Sequence, residues 1–189
     1  HRLIVFRALG FVFLLSFFSL LSLFSTSLDA QLQFNITDGQ VAPTPIAIAN
    51  FTDENGETSD IGKQIAQIIS GDLESSGLFR PVDTAAFIAP PVAPTVKPNF
   101  ANWTPLGVKG LLVGSAQSGE GGKTLVEFVL WDVVTGEPIA SAEGEAGQNG
   151  IRRMGHQIAD FVYEEFTGDI GYFDTRVVYV AESGSQSRR

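Results

Sequence analysis

Three stretches carry residue types that could do chemistry, and the first is a glycine-rich turn. Gly121-Gly122-Lys123-Thr124 has the end of the GxxxxGK[ST] loop, in which backbone N–H groups and a lysine hold phosphates. That pattern requires a glycine at position 117, where the chain has Gln117, and a helix after Thr124, where it has a strand pattern. The tip of a β-hairpin therefore explains these residues better than a phosphate site does.

The second stretch is acidic and resembles a calcium-binding loop in composition only. In Asp53-Glu54-Asn55-Gly56-Glu57, followed by Asp60, the glycine comes too early and no glutamate follows at the required distance. These residues precede a predicted helix, where carboxylates are favoured and remain solvated. We therefore predict no metal site here.

The third candidate is His156, the only histidine outside the first thirty residues. No serine, base and acid set and no second histidine at metal-binding spacing accompanies it, so a structural or exposed role is expected.

Trp103 and Trp131 could stack on a ligand, although aromatic residues in such apolar settings usually belong to a core. The absence of cysteine excludes disulfides and thiol chemistry. We predict that the protein is not an enzyme and holds no cofactor.

The charge of the chain restricts its partners. The formal net charge is −9 at pH 7, and residues 31–189 alone carry ten basic and twenty acidic side chains. Phosphate backbones and anionic lipids are poor partners for such a protein. We predict no nucleic-acid binding.

Residues 1–30 have the order of a secretory signal peptide. Arg2 and Arg7 precede an apolar run from Leu9 to Phe24, and small residues follow. We predict cleavage after Ala30, with cleavage after Ser27 as the alternative, and a mature form that is not inserted in the membrane. A retained membrane anchor is the other interpretation, because the run approaches spanning length.

Residues 31–44 are predicted to be extended. Leu32, Phe34 and Ile36 alternate with polar residues, while Asp38-Gly39 and Pro43 oppose a helix. Such a segment could pair with the sheet of its own domain. It could equally add a strand to a partner, with backbone hydrogen bonds providing affinity.

Residues 45–168 predict an α/β domain that begins with a strand, a helix and a second strand. Ile46 to Phe51 is an apolar run of strand length, and apolar residues from Ile61 to Leu73 recur with helical spacing. Ser59 or Asp60 can cap this helix, and Gly77 can end it in the left-handed conformation. Leu78 and Phe79 then return to the core.

The second half of the domain predicts an antiparallel meander and another helix. Strands are expected at 110–116, 124–132 and 139–143, and four prolines in residues 90–98 predict an extended surface loop before them. Asp83 and Asn99 can each cap a short turn. Asn149 can cap the second long helix, and Gly168 can end it. The predicted fold class is α/β, a two-layer sandwich of a mixed sheet with two long amphipathic helices.

Residues 169–189 are predicted to be a linker followed by a strand from Thr175 to Ala181. This strand could be the first piece of a further domain or an added edge strand of the α/β domain.

Several short motifs in this order resemble the TolB family of periplasmic Tol-Pal proteins. They are Ile46-Ala-Ile-Ala-Asn-Phe51, Ser76-Gly77-Leu78-Phe79, Asn99-Phe-Ala-Asn-Trp103, Leu106-Gly107, Leu112-Val113-Gly114, His156-Gln-Ile-Ala-Asp160, Tyr163-Glu-Glu-Phe-Thr-Gly168 and Thr175-Arg-Val-Val-Tyr-Val180. The family continues into a six-bladed β-propeller, of which only the first strand is expected here. The resemblance also implies a domain similar in fold to the anticodon-binding domains of class II tRNA synthetases.

The resemblance implies a non-enzymatic periplasmic adaptor for outer-membrane integrity and invagination during cell division, with protein import as a family-associated role. The propeller would contact the outer-membrane lipoprotein Pal. The N-terminal segment would contact TolA of the inner-membrane complex through Gln31, Leu32, Gln33, Phe34, Asn35, Ile36, Thr37, Asp38, Gly39, Gln40 and Val41. From the residues alone, a small-ligand or glycan-binding module that uses the proline-rich loop and Trp103 is the alternative function.

Overall fold

The fold is an α/β sheet with two long helices, seen in a computed structural model that describes residues 36–37, 40–147 and 149–175. Its strands and helices, in chain order, are β1 (Ile36–Thr37), β2 (Gln40–Val41), β3 (Thr44–Ile48), α1 (Asp60–Ser75), β4 (Phe79–Pro81), β5 (Gly110–Ser118), β6 (Thr124–Asp132), β7 (Pro138–Ala146) and α2 (Ile151–Thr167).

The main sheet has five strands in the order β4-β3-β5-β6-β7. β3 pairs in parallel with both β4 and β5, and the strands from β5 to β7 form the predicted antiparallel meander. Parallel neighbours require a crossover, and α1 provides it between β3 and β4. The sheet is therefore mixed, as predicted.

The two helices agree with the predicted ones except at one cap. The Ser59 hydroxyl accepts a hydrogen bond of 2.9 Å from the Gly62 N–H at the start of α1, and Gly77 beyond its end has φ +72°. Gly168 ends α2 with φ +77°. The prediction that Asn149 caps α2 was wrong. Gly150 occupies the N-cap position, and no side chain accepts from the first turn.

Both helices cover the same face of the sheet. The buried side chains between these layers come from the sheet, from both helices and from Phe51, which follows β3. They include Ile46, Ile48, Ile65, Ile69, Leu73, Leu112, Ile158, Val162 and Phe166. This face confirms the amphipathic pattern on which the helices were predicted.

The opposite face of the sheet is covered in part by the long connection between β4 and β5. This connection has short 3₁₀ turns capped by Asp83 and Asn99, as predicted. Its aromatic rings pack on the sheet, with the ring of Phe87 4.8 Å from that of Trp103 and the ring of Phe100 5.7 Å from that of Trp131. A second apolar cluster thus lies beneath irregular chain rather than beneath a helix.

The chain beyond α2 folds back onto that helix. The Asp160 carboxylate accepts hydrogen bonds from the Phe173 N–H at 2.6 Å and the Asp174 N–H at 3.0 Å. The rings of Tyr172 and Phe173 both contact Tyr163. The predicted strand Thr175–Ala181 lies outside the described residues after its first position. None of the helices in the described ranges has the length and apolar character needed to span a membrane.

Candidate functional site

The predicted partner-binding segment includes a small hairpin. Ile36 pairs with Val41 and Thr37 with Gln40 in an antiparallel two-stranded sheet that is separate from the five-stranded one. The other seven predicted contact residues lie outside the described ranges: Gln31, Leu32, Gln33, Phe34, Asn35, Asp38 and Gly39. The contact with a TolA-like partner therefore stays a prediction.

The hairpin is joined to the main sheet by only two residues, Ala42 and Pro43, both of them exposed. Thr44, by contrast, is buried, and its N–H donates a 2.8 Å hydrogen bond to the Leu78 carbonyl. Thr44 is thus the first residue of β3, and any deletion that spares the sheet must stop before it.

The glycine-rich turn is the tip of the hairpin between β5 and β6, as predicted. Gly121 and Gly122 have positive φ angles, and the strand β6 follows where a phosphate loop would have a helix. An open cavity of about 520 Å³ lies beside this tip at the start of both helices. The Lys123 ammonium next to it is paired with Glu145 at 2.6 Å, which raises the pKa of Lys123.

The acidic stretch forms a turn. One carboxylate oxygen of Asp53 accepts hydrogen bonds from the N–H groups of Asn55 at 2.8 Å and Glu57 at 3.0 Å. These N–H groups, that of Glu57 first, hold the pKa of Asp53 below its usual value. No group of three histidine, cysteine or carboxylate side chains that could hold a metal occurs in residues 36–37, 40–147 and 149–175.

His156 joins the two helices. Its Nδ1 lies 2.6 Å from Oδ2 of Asp72 on α1, and both side chains are about one-fifth exposed. The histidine has the structural role expected of it. The sequence did not indicate its partner, because Asp72 lies 84 positions away along the chain.

Neither tryptophan is available as a platform for a ligand. Trp103 is only 3% exposed and Trp131 8%, and both rings belong to the apolar cluster beneath the β4–β5 connection. The role of Trp103 in the alternative small-ligand or glycan-binding function was wrong, since a buried ring cannot stack on a glycan.

Comparison with known proteins decides the family. Residues 32–139 match the family model described as the TolB amino-terminal domain. The chain belongs to the TolB amino-terminal domain family. The match begins inside the alternating N-terminal segment and continues into β7, so it includes both the hairpin and most of the main sheet.

Curated relatives and a solved structure agree with this family. The chain is 39% identical over 161 residues to the Tol-Pal system protein TolB of Paramagnetospirillum magneticum, covering 85% of this chain and 36% of that protein. It is 41% identical over 169 residues to the Tol-Pal system protein TolB of Rickettsia conorii, covering 89% and 38%. The crystal structure of TolB from Acinetobacter baumannii shares the fold, with a TM-score of 0.55 and 24% identity over 68% of this chain and 29% of that one. The chain spans little more than a third of the length of these two curated relatives.

Proposed function

We propose that this chain is the amino-terminal region of a non-enzymatic periplasmic adaptor of the Tol-Pal system. The observation that supports the proposal best is the family match, which starts at Leu32 and so includes the alternating segment with the domain behind it. Relatives named Tol-Pal system protein TolB, at 39% and 41% identity, support the same system.

In this proposal the segment of residues 31–44 is the contact for a TolA-like protein of the inner membrane. Its alternating residues provide one apolar edge, and its hairpin is not part of the five-stranded sheet. The outer sides of β1 and β2 have no partner among the described strands, so strand addition there would leave the five-stranded sheet undisturbed. Residues 45–168 serve as the scaffold that presents it.

The proposal also covers the two ends of the chain and the domain that would follow it. Residues 1–30 are a signal peptide cleaved after Ala30, and residues 169–189 lead into a β-propeller. That propeller contacts a Pal-like lipoprotein of the outer membrane. Together the two contacts would link the membranes for outer-membrane integrity and invagination at division, with protein import as an associated role.

The contact is tested by titrating residues 31–189 against the purified periplasmic domain of the TolA-like protein from the same organism. The alternation provides a matched pair of variants, because Phe34→Asp changes the apolar edge and Gln33→Asp changes the polar one. We expect Phe34→Asp, and deletion of residues 31–42, to weaken binding at least tenfold. Gln33→Asp should bind nearly as tightly as the parent. Equal affinity of the parent, Phe34→Asp and the deletion would refute the assignment.

A further inference from the structure

We propose that the outer edge of β7 binds a basic extended segment of a partner protein by strand addition. A groove that contains Glu127 and Glu143, here called the acidic groove, lies beside this edge. This surface is distinct from residues 31–44, so the chain would have a second protein contact.

β7 is the last strand of the sheet order and pairs only with β6 among the strands that the structure describes. It has nine residues, which at about 3.4 Å per residue makes an edge about 30 Å long. The opposite edge, β4, has only three residues. Unpaired N–H and C=O groups along a long edge strand are a template for another strand.

Two carboxylates face each other across this edge pair. Glu127 of β6 and Glu143 of β7 are directly opposite in the register. Phe128 beside Glu127 contacts Phe161 of α2, so by alternation both glutamates lie on the face away from the helices. Neither carboxylate has an ion pair in the described part of the chain. Like charges directly opposite are destabilising, and a cation placed between them would remove the repulsion.

The acidic groove next to this pair has room for a side chain. It has a volume of about 370 Å³, and its lining includes Pro94 and Val129 together with Glu127 and Glu143. Apolar walls with carboxylates beside them suit a lysine or arginine, whose aliphatic stem packs while its charged head stays near the acids. The groove therefore gives the edge a preference for a basic residue.

Charge also decides which kind of strand could pair with the β7 edge. A second copy of this chain would bring its own Glu143 to the shared edge, while its Glu145 is already paired with Lys123. The whole chain carries a net charge of −9. Charged residues on an edge strand oppose pairing with strands of like charge. The same residues attract a basic strand, so the edge selects a partner of opposite charge rather than excluding every strand.

The test uses residues 31–189, the form left by the predicted cleavage, and three fluorescein-labelled peptides of nine or ten residues. The first alternates lysine with valine or threonine. The second has glutamate in place of each lysine. The third has proline at a central valine and at the lysine next to it, with one lysine added at its end to keep the charge. Successive N–H groups of a strand point to opposite sides, so one of the two prolines removes a donor that faces β7 in either orientation. Fluorescence anisotropy measures binding, and hydrogen exchange follows the amides of β7.

Two double variants provide matched changes of charge. Glu127→Gln with Glu143→Gln removes the facing pair without changing side-chain shape. Glu164→Gln with Glu165→Gln removes two exposed charges on α2. We expect the basic peptide to bind the parent, to slow exchange in β7, and to lose at least fivefold in affinity with the first double variant. The second double variant should bind as the parent does.

Several results would overturn the inference. These are no binding of the basic peptide, equal binding of the proline peptide, equal loss with both double variants, or association of the chain with itself at the β7 edge. Melting temperatures of both double variants, expected to match or exceed that of the parent, separate a lost contact from a lost fold. Binding that survives Phe34→Asp would distinguish this surface from the proposed TolA-like contact.

Discussion

Two glycines of α1 should respond in opposite ways to the same substitution. A Cβ built on Gly62 would lie 1.9 Å from the Phe51 carbonyl oxygen and 2.7 Å from its carbonyl carbon. Around Gly71, which is exposed, no atom outside its immediate helix neighbours lies within 4 Å of such a Cβ. The two positions therefore share the helix and differ in what the new methyl group meets.

The expected changes in stability combine the helical preference for alanine with the contacts that the new methyl group makes. Alanine is favoured over glycine inside a helix by about 1 kcal/mol, so Gly71→Ala should stabilise the domain by about that amount. For a domain of this size, a gain of that order raises the Tm by about 3–6 °C. Gly62→Ala has the same helical preference, but its methyl group overlaps backbone atoms that no rotamer change can move. Overpacking of this kind costs about 1–3 kcal/mol or more, which should exceed the helical gain.

Thermal and urea unfolding, followed by circular dichroism at 222 nm, measures both variants on residues 31–189. We expect Gly71→Ala to unfold above the parent and Gly62→Ala to unfold below it, with free energies of unfolding that differ by about 2 kcal/mol or more. A Gly62→Ala variant as stable as Gly71→Ala would refute the close approach of the Phe51 backbone to α1.

Three further substitutions test the contact between α1 and α2, the segment that follows α2, and the ionisation of Tyr163. Gly155→Ala should destabilise the domain by up to about 2 kcal/mol in urea unfolding, because its Cβ would lie 2.7 Å from Ile68 of α1 and the overpacking cost of about 1–3 kcal/mol exceeds the helical gain of about 1 kcal/mol. Asp160→Asn should speed amide exchange at Phe173 at least tenfold, since that N–H loses a hydrogen bond to a charged carboxylate; unchanged exchange would contradict the role of Asp160. Burial first, and then the neighbouring Tyr172 and Asp169, raise the pKa of Tyr163 above its usual value of 10.0. Its neutral phenol thus stabilises the fold below pH 10, and that stabilisation is lost as the pH rises through the higher folded pKa. Absorbance at 295 nm should show a late tyrosine ionisation that Tyr163→Phe removes; a late phase of unchanged amplitude in that variant would rule out Tyr163 as its source.

Much of the secondary structure could be predicted from local pattern. The helical spacing from Ile61 to Leu73, the serine before it and the glycine after it predict α1 to within two residues at each end. Strand β6 was predicted with its observed bounds, because alternation and turn residues act over neighbouring positions. Asn149 was predicted to cap α2, but Gly150 occupies the N-cap position. A residue type that often caps helices does not ensure that its side chain has the capping geometry.

Some features of the candidate sites could also be predicted from local pattern, and others could not. The strand pattern after Thr124 was enough to reject a phosphate loop, and the alternation of Leu32, Phe34 and Ile36 was enough to predict an extended N-terminal segment. The opposition of Glu127 to Glu143 depends on the register of β6 with β7. That register includes an irregularity between Leu130 and Trp131, which the turn residues between the two strands did not indicate. Which strand lies at the edge and what lines the groove depend on the whole sheet, so the acidic groove and the free edge could not be predicted.

The sequence by itself therefore determined the two long helices, the strands of the main sheet and most of the caps, because these depend on residues close together in the chain. The order of its short motifs also carried the family resemblance. The tertiary structure decided which strand lies at the edge, that the β4–β5 connection covers the second face of the sheet, and that His156 meets Asp72. These features depend on packing between distant segments, where a side chain is placed by the sum of many weak contacts rather than by its neighbours in sequence.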